Sequence, residues 1–187
     1  MKSKLVYISV WSGILFGLVM IAEFFMMYNL DFTPSKYPTL GILVNVFNFM
    51  ILPLFFIVLT ALYYRLKVNQ NFISFSEVLR VGVIVCVMAA MSYALFNLVY
   101  YRLFPDAVQK VGDDLYNVAL YGIEQAKAKG ALEAELPTIE AIQHDIQKQK
   151  EYMTSFLSVP FSIIIYSVIG IICSIVTAPF IKNDKPQ

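Results

Sequence analysis

Four long apolar stretches constrain the fold of this chain more than any other feature. An α-helix rises about 1.5 Å per residue, so about 20 apolar residues are needed to cross the hydrocarbon core of a bilayer. Four windows meet this requirement, and they cover about residues 5–28, 39–64, 78–101 and 156–181. None of them alternates apolar with polar residues as the strands of a membrane barrel do. The sequence therefore predicts an all-α fold, a bundle of four transmembrane helices.

The composition agrees with a membrane protein and excludes several classes of function. Apolar residues make up 59% and charged residues 14% of the chain, whereas soluble domains have about 45–50% and about 25%. A net charge of +1 gives no reason to expect a nucleic acid partner. Cys86 and Cys173 lie within apolar windows, and His144 is the single histidine, too few ligands for a metal site. We therefore expect no metal, no cofactor and no enzymatic activity.

Local signals support the boundaries of these helices. Ser74 and Glu77 have the S-x-x-E spacing of a capping box, which predicts that the third helix begins there. Pro53 frees the carbonyl of Phe49 and predicts a kink in the second helix. Tyrosines, which favour the boundary between lipid and water, cluster at the predicted helix ends: Tyr28, Tyr37, Tyr63, Tyr64, Tyr100 and Tyr101.

The charges separate across the predicted bundle. The termini and the second loop carry seven basic and two acidic residues: Lys2, Lys4, Arg65, Lys67, Arg80, Lys182 and Lys185 against Glu77 and Asp184. The first loop and the segment between the third and fourth spans carry seven basic residues and ten acids: Asp31, Asp106, Asp113, Asp114, Glu124, Glu133, Glu135, Glu140, Asp145 and Glu151. Cytoplasmic loops hold the excess of Lys and Arg. The pattern predicts a multi-pass protein with both termini in the cytoplasm.

The segment of about residues 105–155 is too long for a simple loop. Apolar residues recur at helical spacing, which predicts amphipathic helices: Val108, Val111, Leu115 and Val118, then Ile139, Ile142 and Ile146. Gly130 and Pro137 would end the first helix and start the second. We expect a helical hairpin outside the membrane, folded on itself or on the membrane surface, whose second helix continues into the fourth span with a bend at Pro160. Its acidic character argues against anionic lipid as its ligand.

Polar residues within the spans form the candidate site. Glu23 is the one carboxylate in a span, and it lies about 7–8 Å below the outer end of the first helix. Asn97 has a similar depth on the third helix, and Asn45 and Asn48 lie about 9 and 13 Å deep on the second. Arg102 at the end of the third helix is a candidate counter-ion. We expect Glu23 to face the bundle interior beside Asn48 and Asn97.

Two interpretations of this cluster remain open. In one, the cluster is an outward-facing pocket in which Glu23 binds a cation or carries a proton, because a charge inside a membrane is costly and usually functional. In the other, the asparagines join helices by hydrogen bonds, and Glu23 reaches the interface or pairs with Arg102.

Small residues recur every four positions on three of the spans. They are Ser9, Gly13 and Gly17 on the first, Gly82, Cys86, Ala90 and Ala94 on the third, and Gly170, Ser174 and Ala178 on the fourth. Such stripes let helix backbones approach closely. They are compatible with a compact bundle and with a homo-oligomer.

Three stretches together resemble a known family. They are the glycine-bearing SGILFGLVMI, the segment FISFSEVLRVGVIVCVMAAMSYALFNLVYY, and FLSVPFSIIIYSVIGIICSIVTAPFIK after the acidic insert. In this order they resemble the domain of unknown function 4199 family of bacterial membrane proteins. The resemblance implies a location in the bacterial inner membrane and a four-helix architecture. It implies no activity and no functional residues.

The sequence thus favours a non-enzymatic inner-membrane protein whose acidic outer hairpin binds a protein partner or covers the bundle. The alternative is a small transporter or ion-coupled subunit that uses Glu23 in an outward-facing polar pocket. The expected surroundings are the lipid bilayer, with a protein partner or a second copy of the chain.

Overall fold

The chain folds almost entirely into helices. The computed structural model describes residues 2–30, 32–130, 132 and 136–183. In these residues β-type pairing is limited to one isolated bridge between Ile73 and Asn183. The α-helices are α1 (Lys2–Asn29), α2 (Pro38–Val46), α3 (Leu52–Tyr63), α4 (Phe75–Leu103), α5 (Pro105–Ala128), α6 (Ile139–Thr154) and α7 (Ser158–Ile181).

Four helical segments are long and apolar enough to cross a membrane. They are Ser3–Tyr28, Pro38–Val68, Phe75–Leu103 and Ser158–Ile181. Helices α5 and α6 lie between the third and fourth segments and pack on each other. The predicted fold class, an all-α bundle of four apolar helices with a helical hairpin before the last one, is confirmed.

The second span is not a regular α-helix. A π-helical turn, Phe47–Ile51, separates α2 from α3, and a second one, Tyr64–Val68, ends the span. Pro53 lies in the first turn of α3. Its missing N–H and its ring are incompatible with a regular bond to the carbonyl four residues earlier, and the π turn absorbs this mismatch. The irregularity predicted at Pro53 therefore takes the form of a π turn directly before it.

Helix α4 is the centre of the bundle, and it packs most extensively against α7 and α1. A Cβ atom on Gly17 of α1 would lie 2.7 Å from the Cβ of Ser92. A Cβ on Gly82 would collide with Ser174 and lie 2.7 Å from the carbonyl oxygen of Gly170 on α7. The glycines are thus the positions at which these helix backbones approach most closely.

Two features are expected at the ends of the spans, a capping box and boundary tyrosines, and the structure treats them differently. The capping box is present: the amide of Glu77 donates to the Ser74 hydroxyl, and the amide of Ser74 donates to the Glu77 carboxylate. Tyr64 is 1% exposed and Tyr101 7% exposed, so these two rings pack inside the protein and do not face its surroundings. Both belong to the core, and the Tyr64 hydroxyl donates to Glu77 across 3.5 Å.

The hairpin packs on the bundle as well as on itself. Val108 and Val111 of α5 form one cluster with Phe24 of α1 and Tyr101 of α4. The apolar stripe of the hairpin is buried only near the bundle, because Val118 and Ile139 are exposed.

The hairpin and the fourth span are separate helices. Helix α6 begins after Thr138, whose hydroxyl accepts a hydrogen bond from the amide of Ala141. It ends at Thr154, and α7 begins at Ser158. The expectation of one continuous helix with a bend at Pro160 is therefore wrong. Pro160 lies in the first turn of α7, where a missing amide hydrogen costs no helical bond.

The opposite end of the bundle is held together by polar contacts. The Arg65 guanidinium donates to the carbonyl oxygen of Ile181 and to the side chain of Asn71, each at 2.9 Å. The amide nitrogens of Ile73 and Asn183 donate to each other's carbonyl oxygens. These bonds fix the end of α7 to the connection between the second and third spans.

Candidate functional site

A cavity of about 550 Å³ lies where the bundle meets the hairpin. Residues from α1, the first loop, α2, α4, α5 and α7 line it. Most of the lining is apolar or aromatic, including Met20, Met27 and Leu115. A few polar groups converge on it, which is the usual character of a site for a small organic molecule.

Glu23 is half-buried and contacts a residue of the cavity wall. Its carboxylate is within hydrogen-bonding reach of the side-chain amide of Asn48, and Asn48 lines the cavity. Glu23 also interacts electrostatically with the hydroxyl groups of Tyr93 and Tyr166, which line the cavity from α4 and α7. The structure thus brings Glu23 and Asn48 together inside the bundle.

Asn97 joins this group through a tyrosine. Its side-chain amide is within hydrogen-bonding reach of the Tyr93 hydroxyl, which also interacts electrostatically with Glu23. The buried side-chain carbonyl oxygens of Asn48 and Asn97 have no hydrogen-bond partner among the described residues. Buried polar atoms are nearly always paired, so these oxygens have unused capacity to accept a hydrogen bond.

The other two predicted members of the cluster lie apart from Glu23. Asn45 is exposed, lines the cavity and donates its side-chain amide to the carbonyl of Gly41, one turn earlier in α2. Arg102 is exposed at the end of α4 and forms no ion pair with Glu23. The role of counter-ion proposed for Arg102 therefore has no support in this arrangement.

Asp114 of α5 is the charged residue that the sequence analysis did not select. It is 5% exposed, it lines the cavity, and its carboxylate accepts a hydrogen bond of 2.9 Å from the backbone amide of Ser35. A signal was available in the sequence. Position 114 is three residues after Val111 and four before Val118, so an acid lies on the apolar face of an amphipathic helix.

Basic residues lie on the outer side of Asp114. Lys36 and Lys110 line a shallower depression of about 390 Å³, of which Asp114 forms the boundary with the cavity. The Lys110 ammonium donates to the carbonyl oxygen of Tyr28 at 2.6 Å and so caps the end of α1. Over the described part of the chain, no lysine, arginine or histidine lines the cavity itself.

A second depression of about 670 Å³ lies near the other end of the bundle, between α1 and the second span. Trp11, Leu15, Leu59 and Lys67 line it, and their side chains are exposed. A hydrogen bond between Ser12 and Thr60 closes its floor. It is an open, apolar groove on the exposed surface of two candidate spans, and it differs from the first cavity in having no acid among its described lining residues.

Comparison with known proteins places the chain in a family. The family described as "Protein of unknown function (DUF4199)" matches residues 12–183, which is nearly the whole chain. The chain belongs to this family. The match begins within α1 and ends after α7, so it includes most of α1, the other three apolar helices and the hairpin. Searches of curated proteins and of solved structures give no match. Membership therefore assigns no activity to the chain.

Proposed function

We propose that this member of the family is a non-enzymatic membrane protein that binds a small amphiphilic molecule in the 550 Å³ cavity. The observation that carries the proposal is the cavity itself, an apolar chamber with a buried acid, Asp114, and an unpaired Asn48 carbonyl at its wall. Transport or ion coupling through Glu23 would be an extension of this binding function, because Asn48 links that carboxylate to the cavity wall.

The proposed location is the inner membrane of a bacterium, with both termini in the cytoplasm. The excess of basic residues on the terminal side supports this orientation. It places the hairpin and the cavity on the extracytoplasmic side.

The structure offers a direct test of the cavity. Gly122 of α5 lines it, and a Cβ added there would meet no atom within 4 Å. A Gly122→Trp variant should therefore obstruct the cavity at its exposed rim with little strain in the helix. Gln125→Trp adds the same ring at an exposed position of α5 that does not line the cavity, and it is the matched control.

Two fluorinated probes of equal shape would measure binding to the protein in lipid nanodiscs: 4-fluorobenzyltrimethylammonium and its uncharged isostere 4-fluoroneopentylbenzene. We expect a protein-bound ¹⁹F resonance for at least one probe, beyond the signal of empty nanodiscs. Gly122→Trp should abolish it and Gln125→Trp should preserve it. If neither probe gives a bound signal, or if the Gly122→Trp variant retains the signal, the proposed function is wrong.

A second candidate function rests on the surface of the hairpin. Its exposed acidic side chains could bind a basic protein partner: Asp106, Asp113, Glu124, Glu140, Asp145 and Glu151. A partner that co-purifies in mild detergent should be lost when Glu124, Glu140 and Asp145 are replaced by their amides. Gly122→Trp should leave that partner bound, which separates this function from ligand binding in the cavity.

A further inference from the structure

Two buried hydrogen-bond acceptors lie at the cavity wall, beside tyrosine, serine and asparagine groups that can also donate. Asp114 contributes a buried carboxylate, and Asn48 contributes a buried carbonyl oxygen without a partner among the described residues. Glu23 adds a second carboxylate just behind Asn48. Such a wall favours a ligand that carries positive charge or donates hydrogen bonds, and it disfavours an anion.

The basic residues of the region lie outside the cavity lining and place no positive charge inside it. Among the described residues, the only charged side chain that lines the cavity is Asp114. Lys36 and Lys110 lie beyond it in the neighbouring depression, and the Lys110 ammonium is bound to the carbonyl of Tyr28. A cation inside the cavity would therefore meet the Asp114 carboxylate and no basic side chain of the described lining.

Aromatic rings form much of the remaining lining, and they come from five different segments of the fold: Tyr28, Phe49, Tyr93, Tyr121 and Tyr166. The face of an aromatic ring attracts a cation, and cages of such rings recognise quaternary ammonium groups. Phe49 and Tyr166 are neighbours, with ring centroids 5.7 Å apart. The combination of rings with a buried carboxylate suits an organic cation with a diffuse charge.

A small metal ion fits this lining poorly. Metal ions require several converging oxygen, nitrogen or sulfur ligands. In the part of the chain that the structure describes, no group of three or more His, Cys, Asp or Glu residues could hold one. The methionine and leucine side chains of the cavity add apolar surface that only an organic molecule would use.

The opening of the cavity lies between α2 and α5. Ile42 of α2 and Val118 and Tyr121 of α5 line the cavity and are exposed, with Ile42 67% exposed. Ile42 belongs to an apolar span, whereas α5 belongs to the hairpin, so the opening lies near the level at which the span meets the hairpin. A ligand whose charged end lies inside the cavity and whose apolar part lies in the opening would match both the interior and the opening.

We propose that the ligand of this cavity is an organic ammonium cation with an apolar substituent. Its charged centre lies between the Asp114 carboxylate and the tyrosine rings, and its apolar part extends through the opening between α2 and α5. This inference rests on the proposed function, since it names the chemical class of the molecule that the cavity binds.

The two isosteric probes test the charge preference independently of binding itself. We expect 4-fluorobenzyltrimethylammonium to bind about tenfold more tightly than 4-fluoroneopentylbenzene. Asp114→Asn removes the charge and keeps an acceptor for the Ser35 amide, so it should bring the two affinities close together. Tyr121→Leu should reduce the preference by a few-fold, and Tyr116→Leu, on the same helix but outside the lining, should leave it unchanged.

The outcomes separate the inference from the proposed function. Binding of both probes with equal affinity, abolished by Gly122→Trp, would preserve the cavity as a binding site and overturn the preference for an ammonium cation. A preference for the cation that persists in Asp114→Asn and in Tyr121→Leu would also overturn it, because the charge and the rings would then have no part in it. Intact far-UV circular dichroism and an unchanged elution volume confirm that each variant is folded.

Discussion

The Asp114 carboxylate and the Ser35 amide are joined by a hydrogen bond of 2.9 Å across 79 positions of sequence. This bond fastens the loop before the second span to the first helix of the hairpin. Both residues line the cavity. The contact therefore determines the shape of the candidate site as well as the position of the loop.

Removal of this contact should loosen the loop. Asp114→Ala leaves the Ser35 amide without its acceptor, at a cost of about 1–3 kcal/mol for a bond to a charged group. We expect faster hydrogen exchange of the amides at positions 35–37, measured by mass spectrometry in nanodiscs. Asp113→Ala removes a neighbouring exposed acid and should leave the exchange of the loop unchanged. Equal exchange in the two variants would show that the bond does not restrain the loop.

The crossing of α4 and α7 should be intolerant of a single methyl group. Gly82→Ala introduces a Cβ that would collide with Ser174 and approach the Gly170 carbonyl to 2.7 Å. Overpacking of this kind costs about 1–3 kcal/mol. Gly122→Ala is the matched control, since nothing lies within 4 Å of its Cβ and alanine favours a helix over glycine.

Unfolding of both variants in mixed micelles would measure this difference. The free energy of unfolding should fall for Gly82→Ala and stay equal or rise for Gly122→Ala. A Gly82→Ala protein as stable as the parent would mean that the helices can separate at no cost.

Arg65 should stabilise the end of the fourth span. Its guanidinium satisfies the carbonyl of Ile181 in the last turn of α7, where helical carbonyls otherwise have no partner. Arg65→Ala should increase the hydrogen exchange of Ile73 and Asn183, whose amides are paired beside this contact. Lys67→Ala, two residues further along the same π turn and exposed, should not. If these two amides remain protected from exchange in Arg65→Ala, the pairing of Ile73 with Asn183 alone holds this end of the bundle together.

The proposed orientation can be tested with two cysteine substitutions at exposed positions. Gln125→Cys on α5 should react with a membrane-impermeant maleimide from the extracytoplasmic side, and Ser76→Cys at the start of α4 only from the cytoplasmic side. Right-side-out and inverted vesicles separate the two cases. Cys86 and Cys173 are buried and should contribute no labelling. The reverse pattern would contradict the orientation that the basic residues predict.

The hydropathy of the sequence was sufficient to predict the architecture, because each span must provide about 20 apolar residues whatever its neighbours are. Counting residues from the ends of the spans predicts that Glu23, Asn48 and Asn97 share the outer third of the bilayer, and the structure has Asn48 beside Glu23. The counting could not show that Tyr93 contacts Asn97, because the rotation of one helix against another depends on packing.

Other features depend on contacts that no local pattern contains. The π turn at Phe47–Ile51 rotates α2 relative to α3. The proline that follows it is compatible with a simple bend as well as with a π turn, so the sequence does not distinguish the two. Asp114 lies on the apolar face of α5, but its hydrogen-bond partner, the Ser35 amide, comes from a loop 79 residues earlier. The break between α6 and α7 likewise lies in a stretch, Ser155–Leu157, with no glycine or proline to announce it.

The composition of the cavity wall has a consequence for biogenesis. Tyr166 belongs to α7, the last of the four apolar helices in chain order, and the rest of the wall is contributed by the three earlier spans, the first loop and α5. An insertion intermediate with three spans in the bilayer would contain Asp114 and would lack the Tyr166 side of the cavity. Ligand binding would therefore begin only after α7 is inserted, and a ligand present at that stage would favour the completed bundle over any partial one.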